Sequence, residues 1–248
     1  MNNTNIYIII DKYLREEYDY SREQFKNWVN EESSIDRLLE VINSLEASNN
    51  KRAPILISIM EDIIGEKYLE KYGVVPREAM GLGLLEMTIG QELLNDADYP
   101  EHHHVHASFR IKDGHVIDLD IAEVCCPKIQ FLHLLPNLEN LTITMAGLRE
   151  IKGLEKLKKL KSLDLASNEL KEIDGLEQLT YLKKIHLNLN KFKSLKFAQS
   201  MKALEEIILS YNPLSKLKGI NKLKNLKYIE LEETNLTVKE IKKLKKNF

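Results

Sequence analysis

The chain has 248 residues, 43% of them apolar and 30% charged, with a formal net charge of −2. This is an ordinary soluble globular balance, with room for one large or two small domains. No apolar run approaches the roughly 18 residues that a membrane span needs, and the two cysteines, Cys125 and Cys126, are neighbours, which excludes a disulfide scaffold.

No basic segment precedes a long apolar stretch at the N-terminus, and no small-residue cleavage site follows one, so no signal peptide is read. A reduced, cytoplasmic protein is expected. The net charge conceals an asymmetry. Residues 1–115 hold 12 Lys/Arg and 21 Asp/Glu, whereas residues 116–248 hold 24 and 17. The break near residue 115 marks two unlike halves.

The first half reads as helices. Ile6–Tyr18 suits helix better than strand. Ser21 precedes Phe25, Trp28 and Val29 at helical spacing, and Ser34 opens a stripe of Ile35, Leu38, Leu39, Ile42 and Leu45. Pro54 sits at a first helical position, and the pattern Leu56, Met60, Ile64, Tyr68 runs to a stop at Gly73. Pro76 starts a further helix with Met80, Leu84 and Ile89. Gly81-Leu82-Gly83 lacks the third glycine and the preceding strand of a dinucleotide loop. Residues 1–101 are therefore expected to form an α-helical domain, and 102–248 a second domain.

His102–Ile121 reads as a hairpin about Lys112-Asp113-Gly114. A plain two-residue loop would pair Ser108 with Leu119 and mix the faces. A three-residue loop pairs Phe109 with Ile117, Ala107 with Leu119 and Val105 with Ile121, and keeps the apolar residues together. That register also sets His106 opposite Asp120 and Ser108 opposite Asp118. It would protect the exposed edge of the following sheet.

From Val116 onward a 22-residue pattern recurs, with copies beginning at Val116, Leu138, Leu160, Leu182, Leu204 and Leu226. The first, fourth and sixth positions are apolar, and the fourth and sixth are expected to point inward from a short parallel strand. One such unit cannot bury its apolar side alone, but stacked units share a continuous core. Asn168, Asn190 and Asn212 fall at the ninth position, where a buried amide ladder would satisfy backbone groups. Val124, Ala146 and Thr234 replace it in the outer copies. Thr237-x-x-Glu240 is a capping box before a closing helix with Val238, Ile241 and Leu244 on one stripe.

These residues resemble the leucine-rich repeat family, in the 22-residue subclass found in internalins and in a regulatory subunit of protein phosphatase 1. The helical half followed by the run Lys112–Ile121 is also similar, more loosely, to the start of the repeats in some prokaryotic members. The resemblance implies an α/β fold: a right-handed solenoid of six repeats with its parallel sheet on the concave face. The N-terminal helical domain and a capping hairpin would precede it. It further implies that a macromolecular partner binds the concave sheet.

In that geometry the third, fifth, seventh and eighth positions face the partner. They include Asp118, Asp120, Asp164, Glu206, Glu230 and Glu232; in all, eight acidic residues and one basic one, Lys184. A basic partner is expected, steered by charge and held by the apolar members Leu189, Ile208, Tyr211 and Tyr228. His186, beside Asp164 and Ile208, is a candidate pH-sensitive contact. The cluster His102–His106 is the one metal-like group; His104 and His106 share a strand face and, with Asp120, would suit zinc. No phosphate-binding loop, HExxH or nucleophile elbow occurs. The expected function is a non-catalytic protein-interaction module, without a cofactor, nucleic acid, membrane or small-molecule substrate. A regulatory or adaptor subunit acting through the helical domain is one alternative, and a metal-dependent enzyme centred on the hairpin histidines is another.

Overall fold

A computed structural model describes residues 14–15, 41–42, 44–45, 47–66, 69–95, 107–194, 200–217 and 220–245. The helices expected between residues 6 and 40 therefore lie outside the described residues, apart from Leu14 and Arg15, as does the expected domain boundary at 101/102. Packing divides the chain into two compact units, Met1–Met80 and Gly81–Phe248.

In the first unit, α1 spans Ala53–Glu66 and α2 spans Leu69–Tyr72. Asn50 forms a local turn just before α1, its Oδ1 accepting from the Arg52 N–H at 2.8 Å. Pro54 lies in the first turn, where no backbone donor is needed. Leu56 and Met60 are fully buried, as their spacing predicts. Gly73 ends α2 at φ +65°, donating its N–H to Leu69 O at 2.9 Å. Buried Glu61 is paired with Arg77 at 3.2 Å.

Helix α3, Pro76–Ile89, runs across the division between the units. Gly81 explains itself sterically. A Cβ there would stand 3.0 Å from Leu134 Cβ and 3.1 Å from Leu135 Cδ2, so the glycine allows close packing.

The second unit is built on an eight-stranded sheet. Its strands are β1 (Leu94–Asn95), β2 (Ala107–Lys112), β3 (His115–Ala122), β5 (Asn140–Thr144), β7 (Ser162–Asp164), β8 (Lys184–His186), β9 (Glu206–Ile208) and β10 (Tyr228–Glu230), in that spatial order. Two short strands, β4 (Lys128–Ile129) and β6 (Glu150–Ile151), pair separately. From β3 to β10 every pairing is parallel and offset by one repeat: Leu119↔Leu141, Leu141↔Leu163, Leu163↔Ile185, Ile185↔Ile207, Ile207↔Ile229. Each fourth and sixth side chain is buried, and so is each eleventh, from Cys126 and Leu148 to Phe192 and Leu236. Burying a leucine in such a column contributes about 1.5–3 kcal/mol. The Cys126 thiol donates to Lys128 O at 3.2 Å, and burial raises its pKa; Cys125 is exposed.

The asparagine column behaves as the sequence predicts. Asn190 Nδ2 donates to Leu165 O at 2.8 Å and to Leu187 O at 3.2 Å, and its Oδ1 accepts from Leu170 N at 2.9 Å. Asn168 and Asn212 repeat these contacts one turn to either side. Thr234 keeps one of them, donating to Leu231 O at 3.1 Å. On the far side of the repeats, Gly153 and Gly175 start short 3-10 turns at φ +89° and +83°. A Cβ at either glycine would fall within 2.8 or 2.9 Å of backbone nitrogen in the preceding repeat.

Two expectations need correction. The hairpin uses a two-residue turn, Asp113 (φ +52°) and Gly114 (φ +76°), and a bulge between Arg110 and Ile111 shifts the register beyond it. Phe109 therefore faces Leu119 and Ala107 faces Ile121. The apolar face is restored by the bulge rather than by a longer loop. Ser108 faces Asp120 and Arg110 faces Asp118. Strand β2 pairs antiparallel along β3, and β1 in turn pairs along β2 in parallel. The closing helix α4, Val238–Lys245, does carry the capping box: Thr237 N–H donates to Glu240 Oε2 at 2.8 Å and Glu240 N–H to Thr237 Oγ1 at 3.3 Å. Val238, however, is 68% exposed. It is the first helical residue and lies beside the cap, where its side chain is left to solvent. Among the described residues no helix is long and apolar enough to cross a membrane.

Replacing Asn190 with Ala strands its carbonyl and amide partners in the core. Urea unfolding should show a loss of roughly 2–4 kcal/mol, whereas Thr234→Ala, which removes one bond at the sheet's end, should cost about 1 kcal/mol or less.

Candidate protein-binding face

The open face of the sheet carries the third, fifth, seventh and eighth positions. Its most regular feature lies in the backbone. Glu123, Met145, Ser167, Leu189, Tyr211 and Glu233, the eighth residues of successive copies, all have φ between +49° and +59°. Non-glycine residues seldom adopt this conformation. Here it turns the chain off the strand so that the ninth side chain enters the core. The eighth side chain is thereby thrown outward: Met145, Leu189 and Tyr211 are each about half exposed, at 52%, 48% and 51%. Tyr228, on the neighbouring strand, is 50% exposed. Ile208, expected with them, is only partly exposed. Met145 belongs to the row, although the sequence reading did not include it among the contacts.

The carboxylates are less uniform than their count implies. Asp118 is ion-paired with Arg110 across the hairpin and accepts from Asn140 Nδ2. Asp120 is exposed opposite Ser108. His186 lies between two acids, with Nδ1 3.2 Å from Asp164 Oδ2 and Nε2 2.9 Å from Glu206 Oε1. Asp164 is the lateral neighbour expected from the sequence. Glu206 is a diagonal neighbour, two residues before Ile208 on the next strand, and was not anticipated. It also pairs with Lys184 at 3.4 Å. The hydrogen bond to Asp164 is the larger cause, with that to Glu206 behind burial, of a His186 pKa held above 6.5.

At the far end, Glu230 accepts hydroxyl hydrogen bonds from Ser210 at 2.7 Å and Tyr228 at 3.1 Å but, among the described residues, pairs with no cation. The bond to Glu230 raises the Tyr228 phenol pKa. Glu232 and Glu233 are exposed beside it. By contrast, the second-position column pairs its own charges, as in Lys161–Glu139 and Lys227–Glu205, both at 2.6 Å. The candidate metal ligands His104 and His106 lie outside the described residues. Among the described ones, no group of three His, Cys, Asp or Glu side chains is placed to hold a metal. A cleft of about 680 Å³ opens off the sheet, lined by Ile173, Lys191, Phe192 and Pro213 among others; no sequence-predicted site residue lines it.

The repeat length, the inward apolar columns and the asparagine ladder define the fold, that of leucine-rich repeats. No protein-family model matches the chain, and no curated protein matches it. Among solved structures, an internalin from Listeria monocytogenes is similar at 21% identity and TM-score 0.48, over 52% of this chain and 38% of its own. A leucine-rich repeat protein of Leptospira interrogans is similar at 24% identity and TM-score 0.48, over 53% of this chain and 35% of its own. The chain thus spans little more than a third of either structure's length.

The His186 clamp has a pH signature. Its folded pKa is raised above 6.5, so its stabilisation is complete below that value and disappears as pH rises through the folded one. His186→Gln should lower the melting temperature at about pH 5.5, where Glu206, held below 4.5, is ionised. The difference should shrink steadily above pH 6.5. An NMR titration of the imidazole ring gives the folded value directly; a midpoint at or below 6.5 would contradict the clamp.

Proposed function

We propose that this protein is a non-catalytic protein-interaction module that takes a basic partner on the concave face of its repeats. The observation that carries this reading is the row of half-exposed Met145, Leu189 and Tyr211, joined by Tyr228, within a field of carboxylates. Apolar and aromatic side chains grouped this way supply most of the energy of an interface once water is excluded. Surrounding acids raise encounter rates with a basic protein and reject acidic ones. Asp118, Asp120, Asp164, His186, Glu206, Ile208, Glu230 and Glu232 complete the proposed contact surface. The free cysteines suit the reducing cytoplasm.

A second reading rests on the separate compact unit Met1–Met80. If the helical half acts as an effector, the repeats would recruit a target to it, and the protein would be a regulatory or adaptor subunit.

The eighth-position backbone offers a clean test. Asparagine tolerates positive φ better than other side chains, so Leu189→Asn and Tyr211→Asn remove apolar surface without straining the turn. The double variant should melt within a few degrees of the parent chain. It should lose at least about tenfold in affinity for any protein that the parent captures, since each truncated anchor costs about 1–2 kcal/mol. Capture of every partner at parental affinity would reject the concave face.

A further inference from the structure

Both ends of the sheet are edges, but they differ. Along the repeats, the sixth and eighth N–H groups of each copy donate to the fifth and seventh carbonyls of the next. Leu187 N donates to Ile208 O at 2.8 Å and Leu189 N to Ser210 O at 3.0 Å; Leu209 N donates to Glu230 O at 3.0 Å and Tyr211 N to Glu232 O at 2.8 Å. At β10 the same two donors belong to Leu231 and Glu233. They point out of the sheet, and no described residue accepts from them.

The side chains at this edge are unmatched in the same direction. Within the sheet, acids on the open face find cations on the neighbouring strand: Asp118 with Arg110, Asp164 with His186, Glu206 with Lys184 and His186. Glu230 receives only neutral hydroxyls, and Glu232 and Glu233 lack a cationic partner among the described residues. Among the described residues, carbonyl acceptors and positive side chains are therefore missing from one place, beyond β10.

We propose that β10 is completed by an extended basic segment of the partner protein, added in parallel as the next strand; this rests on the protein-binding reading above. In the sheet's own register, the partner residues whose carbonyls accept from Leu231 and Glu233 place their side chains laterally to Glu230 and Glu232. Lysine or arginine there makes the contact that Lys184 makes with Glu206, 3.4 Å away on its neighbouring strand. Strand addition supplies affinity through the main chain and specificity through alternate side chains. The hydroxyl bonds from Ser210 and Tyr228 hold Glu230 ready, and the aromatic face of Tyr228 offers a cation–π surface to a long cationic side chain.

The test uses the full chain and an end-blocked, fluorescently labelled peptide of about eight residues alternating lysine with threonine or valine. Anisotropy should show saturable binding. The glutamate-for-lysine analogue should bind at least about tenfold more weakly. So should a lysine peptide N-methylated at the backbone nitrogens that would face β10, although its charge is intact. Glu230→Gln with Glu232→Gln should weaken the lysine peptide about five- to tenfold, while Glu169→Gln, in an ion-paired acid away from this edge, should not.

Equal binding of the N-methylated peptide would overturn strand addition. It would leave the concave-face reading intact, since that is judged separately by the Leu189 and Tyr211 variants. Absence of any lysine-peptide binding would overturn it as well. A concentration-dependent dimer in sedimentation that Glu232→Lys abolishes would name a second copy of this chain as the occupant, and would equally refute the proposal.

Discussion

A buried chain that leaves a strand must satisfy the peptide groups it exposes in turning, and here one amide in each of three successive repeats meets that requirement. Asn168, Asn190 and Asn212 each donate to carbonyls of their own and the preceding repeat, and accept from an N–H of the preceding repeat. The ladder demands that the ninth side chain enter the core. The preceding residue takes positive φ in every copy, whether the ninth residue is asparagine, valine, alanine or threonine. The eighth side chain then has nowhere to go but outward. The proposed contact row is a consequence of this recurring turn: the fold fixes where these side chains project and leaves their identity open.

Electrostatics on the open face follow from lateral neighbours rather than from composition. Parallel strands in register set like positions side by side, so a charge is judged against its neighbours one repeat away. Asp164, His186 and Glu206 form such a group, and so do Asp118 and Arg110. Counting eight acids against one base overstates the field in the middle of the sheet, where pairing has consumed it. The charge that remains outward-looking gathers toward β10.

The period, the inward columns, the amide ladder and the capping box were legible because each depends on residues at fixed spacing within one stretch of chain. What escaped were features set by a second stretch. The hairpin bulge trades one unpaired residue for a favourable two-residue turn, an exchange that alternation alone cannot weigh. Glu206 reaches His186 diagonally, across a boundary that position-by-position reading treats as separate columns. Gly153 and Gly175 matter because of the backbone of the preceding repeat, which no single copy displays. Val238 looked like core by periodicity but lies at the helix start, exposed beside the cap.

The six copies also act as comparisons of one another under a common fold. Columns four, six and eleven stay apolar throughout, and every one is buried. Columns three, five, seven and eight range over aspartate, asparagine, serine, lysine, glutamate, tyrosine, methionine and leucine without altering strand register. Variation of this kind carries no packing cost, so it is free to specify a partner. Of the exposed apolar members of those columns, Met145 lies in the second copy, while Leu189, Tyr211 and Tyr228 fall in the last three, nearest the edge where, among the described residues, the backbone donors and the carboxylates are both unmatched. Apolar area, hydrogen-bond donors and negative charge thus converge on the β10 end of the sheet, and a partner that engages all three must present an extended, cationic stretch of chain.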